Sequence, residues 1–178
     1  LGRNFINEAN IGMLSNEEGY ARAREAAEKA LAIDPDNAPA HAGLGWIAMT
    51  LDNDLAGAAR HFERAVQLDP TDLNILGNVA TFLLYLGRQD EALALQESIV
   101  RRDPVNVTAL NNLGYIQRLA GRYEEATASD RTVLSLSPGR SGAHTLIGYA
   151  LLMKGEAPAA LAEVEQESLD LYRGTALA

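Results

Sequence analysis

The sequence predicts an all-α solenoid of stacked helix–turn–helix repeats, and the spacing of its prolines is the main reason. Pro35, Pro70, Pro104 and Pro138 are separated by 35, 34 and 34 residues. A fixed period of this length is typical of small units that stack, because one such unit cannot bury a core by itself. Alternation of polar and apolar residues at period two never persists along the chain, so no β-strand is predicted.

The unit at residues 105–138 shows most clearly why each element forms. Its apolar residues over 107–119, among them Leu110 and Leu113, recur at the spacing of an amphipathic helix. Gly121-Arg122 breaks this pattern, and a second helix is predicted over 123–136. The proline that follows ends this helix, because proline donates no backbone hydrogen bond. Equivalent breaks occur at Gly87-Arg88 and Lys154-Gly155-Glu156.

These signals predict one solenoid over residues 1–178, divided into successive helix–turn–helix units. The unit that ends at Pro70 contains one inserted residue near Asp52-Asn53-Asp54, which explains its longer spacing. The last unit stops within a helix, so we interpret the chain as a fragment of a longer protein. The predicted units are 1–35 (degenerate), 36–70, 71–104, 105–138, 139–168 and a truncated first helix at 169–178.

With these units aligned, the chain resembles the tetratricopeptide repeat family, whose pattern combines W-x2-L-G-x2-Y, A-x3-F and a final proline. When that proline is position 32, position 8 is glycine or alanine and position 20 is alanine, which allows two helices to approach closely. The resemblance covers about residues 19–174 and implies a right-handed α-solenoid whose first helices line a concave groove. The residues concerned are Gly45, Ala80, Gly114 and Gly148 at position 8, and Ala58, Ala92, Ala126 and Ala160 at position 20.

The resemblance also implies which side chains line the groove, and most of the Trp, Tyr and Met residues are among them. Aromatic residues and methionine are enriched at the centres of protein interfaces. Asn78 and Asn112 resemble the asparagine ladder in the repeat arm of O-linked N-acetylglucosamine transferases. Ordinary packing between adjacent first helices is the alternative interpretation of the whole set. The predicted groove comprises Trp46, Met49, Asn78, Thr81, Tyr85, Asn111, Asn112, Tyr115, Arg118, Tyr149 and Met153.

These features predict a non-enzymatic scaffold for protein–protein interaction that binds an extended peptide or a helix in its concave groove. The chain is similar to repeat arrays that follow bacterial winged-helix regulators, nucleotide cyclases and kinases, which implies a part of a larger signalling or regulatory protein. Two alternatives stay open. One is a self-association module that forms homo-oligomers through its open C-terminal end, and the other is a substrate-presenting arm of a glycosyltransferase.

Charge and composition argue against several other classes of protein. The net charge of −9 and the pI near 4.8, with scattered basic residues, argue against binding of nucleic acid or of an anionic membrane surface. No apolar run reaches the roughly 18 residues of a transmembrane helix. The absence of cysteine removes thiol catalysis and disulfides. We predict a cytoplasmic location, with the periplasm as the alternative.

The remaining polar clusters predict structure rather than chemistry. Residues 52–63 match several places of a calcium loop but carry Ala56 at a ligand place, so we interpret the segment as a turn with Asp54 capping the next helix. His41, His61 and His144 are interpreted as separate packing residues without a shared acidic neighbour. The sequence therefore predicts no catalytic residue, no metal site and no cofactor.

Overall fold

The computed structural model of the protein describes residues 15–167, and this part of the chain contains nine α-helices and no strand. The prediction of an all-α fold is confirmed. The predicted truncated helix at 169–178 and the first 14 residues of the degenerate unit lie outside the described residues. The helices are α1 (Asn16–Ile33), α2 (Ala38–Thr50), α3 (Leu55–Leu68), α4 (Leu73–Tyr85), α5 (Gln89–Arg102), α6 (Val107–Leu119), α7 (Tyr123–Leu136), α8 (Ala143–Met153) and α9 (Ala157–Val164).

Short polar side chains start several of these helices. Asn37, Asp54 and Asn106 each accept a hydrogen bond from the backbone N–H three residues ahead, at 2.8–3.0 Å. Ser15 does the same at the start of α1, at 3.1 Å. Each bond satisfies a donor that the first turn of a helix leaves unpaired. The predicted role of Asp54 as a helix cap is confirmed.

The helix breaks lie where the sequence predicts them. Helices α6 and α7 have the bounds expected from the pattern. Gly87, Gly121 and Gly155 stand in the turns after α4, α6 and α8, with left-handed φ angles of 73°, 71° and 82°. Glycine adopts this conformation without the steric cost that a Cβ atom brings. Each glycine therefore provides the left-handed residue that its turn requires.

The inserted residue near Asp52 lies in a turn and leaves both neighbouring helices intact. The turn between α2 and α3 covers residues 51–54, one residue more than the turns at 86–88 and 120–122. Asn53 takes the left-handed conformation here, with φ of 54°. Asparagine tolerates this region better than most residues other than glycine. The longer proline spacing is thus absorbed outside the helices.

The chain divides into two compact units, and the boundary lies inside α4, between Phe82 and Leu83. In the first unit, α1 packs on α2 and α2 packs on α3. Its core contains a cluster around Met49, Phe62 and Phe82, in which the two phenylalanine ring centroids are 5.3 Å apart. A second cluster surrounds Ile75. The two phenylalanines of this unit's core therefore lie in a single cluster.

In the second unit, each helix from α5 to α9 packs on the helices next to it in the chain. One core cluster joins α5 and α6 through Leu93, Leu113 and Ile116. Another joins α8 and α9 through Ile147 and Ala160. These two clusters of the second unit are therefore built from small and aliphatic side chains.

The glycines at position 8 allow the two helices of a pair to approach closely. A Cβ atom added to Gly148 would lie 2.5 Å from Cγ2 of Val164 and 3.1 Å from the carbonyl oxygen of Ala160. One added to Gly45 would lie 2.9 Å from the ring of Phe62. The predicted close approach is confirmed. The alanines at position 20 are buried on the second helix of each pair: Ala58, Ala92, Ala126 and Ala160.

Replacement of Ala126 by leucine should destabilise the protein by about 1–3 kcal/mol, because the side chain has no exposed surface and extra methylenes would overpack the contact between α6 and α7. Urea unfolding followed by far-UV circular dichroism measures this loss. Ala128 is exposed on the same helix, so Ala128→Leu is the matched control and should leave stability within about 0.5 kcal/mol. Equal urea midpoints for Ala126→Leu and Ala128→Leu would contradict close packing at Ala126.

Candidate functional site

An exposed stripe of side chains runs along α6. Asn112, Tyr115 and Leu119 follow one another at intervals of three and four residues, which places them on one side of the helix. Tyr115 is 52% exposed and Leu119 is exposed to the same extent. The buried residues Leu113 and Ile116 face the core instead. Helix α6 thus presents an apolar stripe that the core of the second unit does not use.

Helix α8 carries a stripe at the same positions, 34 residues later. Leu146, Tyr149 and Met153 are its members, and Tyr149 is 50% exposed. The tyrosines of the two helices thus stand at equivalent places and share the same degree of exposure. We refer to these six residues of α6 and α8 as the first-helix stripes, since α2, α4, α6 and α8 are the first helices of the pairs.

Large exposed apolar side chains of the second unit concentrate on its first helices. Tyr85, at the end of α4, and Leu152, on α8, are also exposed. Among the described residues of the second helices in this unit, such exposure is limited to Leu136 and Leu161. An apolar side chain gains free energy when it leaves water, so a surface of this kind is typical of a binding site.

The set of predicted groove residues does not include Leu119 or Leu146, although Leu146 stands at the same repeat position as Asn78 and Asn112. Leu119 lies four residues after Tyr115, and Leu146 lies three residues before Tyr149. The helical spacing from each tyrosine was therefore the signal that could have identified them. Tyr115, Tyr149, Met153 and Tyr85 are exposed, as a binding surface requires.

Two predicted groove residues of the first unit belong to its core. Met49 is only 1% exposed and packs with Phe62 and Phe82, so it does not line a surface. Trp46 is half-buried and packs against the same cluster. The physical reason is that apolar side chains gain free energy when they leave water and pack against the phenylalanine rings. For these two residues the structure agrees with the alternative interpretation, ordinary packing.

The predicted polar groove residues Asn78, Thr81, Asn111 and Asn112 are half-buried, and Thr81 is hydrogen-bonded within its own helix. Thr81 donates its hydroxyl hydrogen to the carbonyl oxygen of Gly77, one turn earlier in α4. Asn78 is half-buried in the first unit, and Asn112 is half-buried beside Tyr115 in the second. The Nδ2 atom of Asn111 is buried and has no hydrogen-bond partner within residues 15–167. Asn112 is therefore the amide that stands within a first-helix stripe.

Arg118 does not face a groove, because its guanidinium is held inside the pair of helices α6 and α7. It donates a short hydrogen bond to Oδ2 of Asp130, and the two side chains are 7% and 1% exposed. Beside this ion pair, the hydroxyl of Ser129 donates to Oε1 of Gln117 at 2.8 Å. The predicted binding role of Arg118 is thus replaced by a structural one.

Asp130 occupies the place that the family pattern gives to a phenylalanine, four residues after the alanine of position 20. Phe62 and Val164 stand at this place in other pairs. A Cβ atom added to Gly114 would lie 2.7 Å from Oδ1 of Asp130, just as one added to Gly45 would meet Phe62. Burial raises the pKa of Asp130 to about 6, although the Arg118 guanidinium acts in the opposite direction. A buried carboxyl at this place therefore costs free energy of folding that an aromatic ring would not cost.

Within the described part of the chain, no helix is both long and apolar enough to cross a bilayer. The described side chains also contain no group of three or more His, Asp or Glu residues that could hold a metal ion together. What the first-helix stripes offer chemically is apolar and aromatic area with one amide. This is the chemistry of a contact surface.

Solved structures of similar fold agree with the helical repeats. YrrB, a TPR protein with an unusual peptide-binding site, is 22% identical, with a TM-score of 0.68, covering 97% of this chain and 90% of its own. MamA is 22% identical, with a TM-score of 0.66 and coverage of 90% and 88%. PilW, a widely conserved type IV pilus biogenesis factor, is 21% identical, with a TM-score of 0.74 and coverage of 99% and 77%. No curated protein sequence matches the chain.

The sequence profile described as "Tetratricopeptide repeat" matches residues 14–72 and 80–141, which is more than half of the chain. The matched segments contain the close-packed glycines Gly45 and Gly114 and the buried alanines Ala58 and Ala126. The chain belongs to the tetratricopeptide repeat family.

Proposed function

We propose that the protein is a non-enzymatic interaction scaffold, and that its second unit binds an extended peptide or an amphipathic helix on the first-helix stripes. The observation that carries this proposal is the recurrence of half-exposed tyrosines at equivalent places of α6 and α8, flanked by exposed Leu119, Leu146 and Met153. The core of the second unit leaves these apolar side chains exposed to water, and a bound partner would cover them.

The composition of the stripes supports a protein partner. Tyrosine contributes a large contact area and loses little conformational entropy on binding, since it has few rotatable bonds. Methionine adapts its shape to different apolar surfaces. The amide of Asn112 can donate to and accept from the backbone of a bound chain. The partner that suits this surface is a segment with apolar side chains on one side.

The similar proteins support the same proposal in two ways. YrrB is described as having a peptide-binding site, which favours a peptide ligand here. PilF of Pseudomonas aeruginosa, 20% identical with a TM-score of 0.71, favours a bacterial setting. On this basis we propose that the chain acts within a bacterial regulatory or assembly protein.

Peptides selected from a random display library on the intact chain should bind with micromolar affinity, about −8 kcal/mol. Tyr115→Ala and Tyr149→Ala should each weaken the selected peptide by more than about 1 kcal/mol, because truncation of a central aromatic side chain removes contact area. Fluorescence polarisation with the labelled peptide measures the dissociation constants, and circular dichroism shows that the variants stay folded.

Leu161→Ala is the matched control for this experiment. Leu161 is an exposed apolar residue of α9, a second helix, and lies outside the first-helix stripes. Its replacement should leave peptide affinity unchanged. Unchanged affinity in both tyrosine variants, or an equal loss in Leu161→Ala, would place the binding surface elsewhere.

A further inference from the structure

Two histidines that the sequence analysis interprets as separate packing residues face each other in the first unit. His41 lies in α2 and His61 in α3, and their Nδ1 atoms are 3.2 Å apart. The ring centroids are separated by 5.4 Å, with an angle of 39° between the ring planes. Both side chains are partly buried, so water can reach the pair. The expectation of isolated histidines is therefore wrong for these two.

The backbone fixes which nitrogen of His41 carries the proton. Nε2 of His41 lies 3.1 Å from the carbonyl oxygen of Pro35, which can only accept a hydrogen bond. Nε2 is therefore the donor, and Nδ1 of the neutral ring presents a lone pair towards His61. A ring nitrogen that donates to a backbone carbonyl while the other is a free base is the usual arrangement of a metal-binding histidine.

We propose that His41 and His61 form a two-histidine site for a divalent transition metal ion such as Zn²⁺, bound through Nδ1 of both rings. Two nitrogens at Zn–N distances of 2.0–2.1 Å in tetrahedral geometry are about 3.3 Å apart. The observed Nδ1–Nδ1 separation is 3.2 Å. Binding requires the rings to turn until both lone pairs meet at one point, and the Nδ1 proton of His61 moves to its Nε2. Water completes the coordination.

The groups around His61 act on its pKa in both directions. Burial, the nearby His41 and Arg60 lower the pKa of His61, while the carboxylate of Asp54 acts in the opposite direction. Imidazole ligands favour borderline ions such as Zn²⁺ and Cu²⁺ over Mg²⁺ and Ca²⁺, which prefer oxygen. The chain contains no cysteine, so no thiolate competes for the metal ion.

Calorimetric titration of the whole chain with ZnCl₂ at pH 7.5 should show one ion bound per chain. His41→Gln and His61→Gln should each reduce the affinity at least tenfold, because either change leaves a single imidazole. MgCl₂ should give no binding. His144→Gln is the matched control, since His144 bonds Glu163 through Nδ1 at 2.8 Å in the second unit.

A second measurement on the unaltered chain covers the case in which a variant does not fold. Long-range ¹H–¹⁵N spectra resolve the ring nitrogens of the three histidines, and Zn²⁺ should shift Nδ1 of His41 and His61 but not the His144 ring. Wild-type affinity in His41→Gln and His61→Gln, absence of binding by the wild type, or a shift confined to His144 would each overturn the proposal.

Discussion

Arg118→Ala should destabilise the protein by about 3–5 kcal/mol, because it leaves the carboxylate of Asp130 buried without a cation. Asp130 is 1% exposed, and its Oδ1 atom already lacks a hydrogen-bond partner among the described residues. Loss of the guanidinium would leave Oδ2 unpaired as well. Urea unfolding followed by far-UV circular dichroism at pH 7.5 measures the loss as a lower midpoint.

The cost of this change should depend on pH in a defined direction. The pKa of Asp130 is raised to about 6 in the folded protein, above the value of about 3.9 for an unfolded chain. A raised pKa means that stability is greatest when the carboxyl is protonated and is lost as pH rises through the folded value. Removal of Arg118 raises this pKa further. The difference between wild type and Arg118→Ala should therefore be larger at pH 7.5 than at pH 5.

Two controls distinguish the effect of an unpaired buried charge from the effect of removing any arginine side chain. Arg88 pairs with Glu91 at the surface, with both side chains about half exposed, so Arg88→Ala should leave the urea midpoint close to that of the wild type. The double variant Arg118→Met/Asp130→Leu removes both charges and should be more stable than Arg118→Ala. If Arg118→Ala cost no more than Arg88→Ala, the ion pair would not matter to the fold.

Phe62→Ala should be equally damaging in the first unit, with a loss of about 3–5 kcal/mol. The side chain is 2% exposed and contacts the ring of Phe82. A Cβ atom added to Gly45 would lie only 2.9 Å from the Phe62 ring, so the ring packs directly against the backbone of Gly45. The loss combines the transfer of the ring to water with the cost of an empty volume.

The single tryptophan of the chain reports this unit directly. Trp46 packs against the cluster that contains Phe62, so its fluorescence follows unfolding of the first unit. In Phe62→Ala, the Trp46 transition should move to a lower urea concentration. Leu161→Ala, a change of an exposed residue, should leave it in place. A Trp46 transition at the wild-type midpoint in Phe62→Ala would show that the aromatic cluster contributes little.

The helices could be predicted from sequence because local signals set their ends. The range 123–136 of α7 is bounded by Gly121 on one side and by Pro138 on the other, and both act on the backbone regardless of what packs nearby. The close approach at Gly148 was predictable as well, because a residue without a side chain has few other uses inside a helix.

The site was harder to predict, because one repeat position has different surroundings in different helix pairs. Position 12 is Met49, Leu84, Arg118 and Leu152 in successive first helices. Met49 is buried beside two phenylalanines, Arg118 is paired with Asp130, and Leu152 is exposed. Repeat numbering assigns all of them to the groove, whereas the facing side chain of the second helix decides where each one lies.

The histidine pair escaped sequence reasoning for a related reason. His41 and His61 are 20 residues apart and occupy different helices, so no short spacing motif connects them. Their contact depends on how α2 and α3 lie against each other, which the repeat pattern gives only approximately. Asp130 could have been noticed, since a carboxylate stands where the family pattern has an aromatic ring.

The Arg118–Asp130 pair also bears on which helix α6 can pack against. Chains of similar repeats risk misfolding in which a helix packs on the wrong copy of its partner. If α6 packed on α9 instead of α7, Arg118 would meet Val164 at the place where Asp130 now stands, and a guanidinium would be enclosed by apolar side chains. The ion pair is therefore expected to disfavour the pairing of α6 with α9, much as a polar residue fixes the register of a coiled coil.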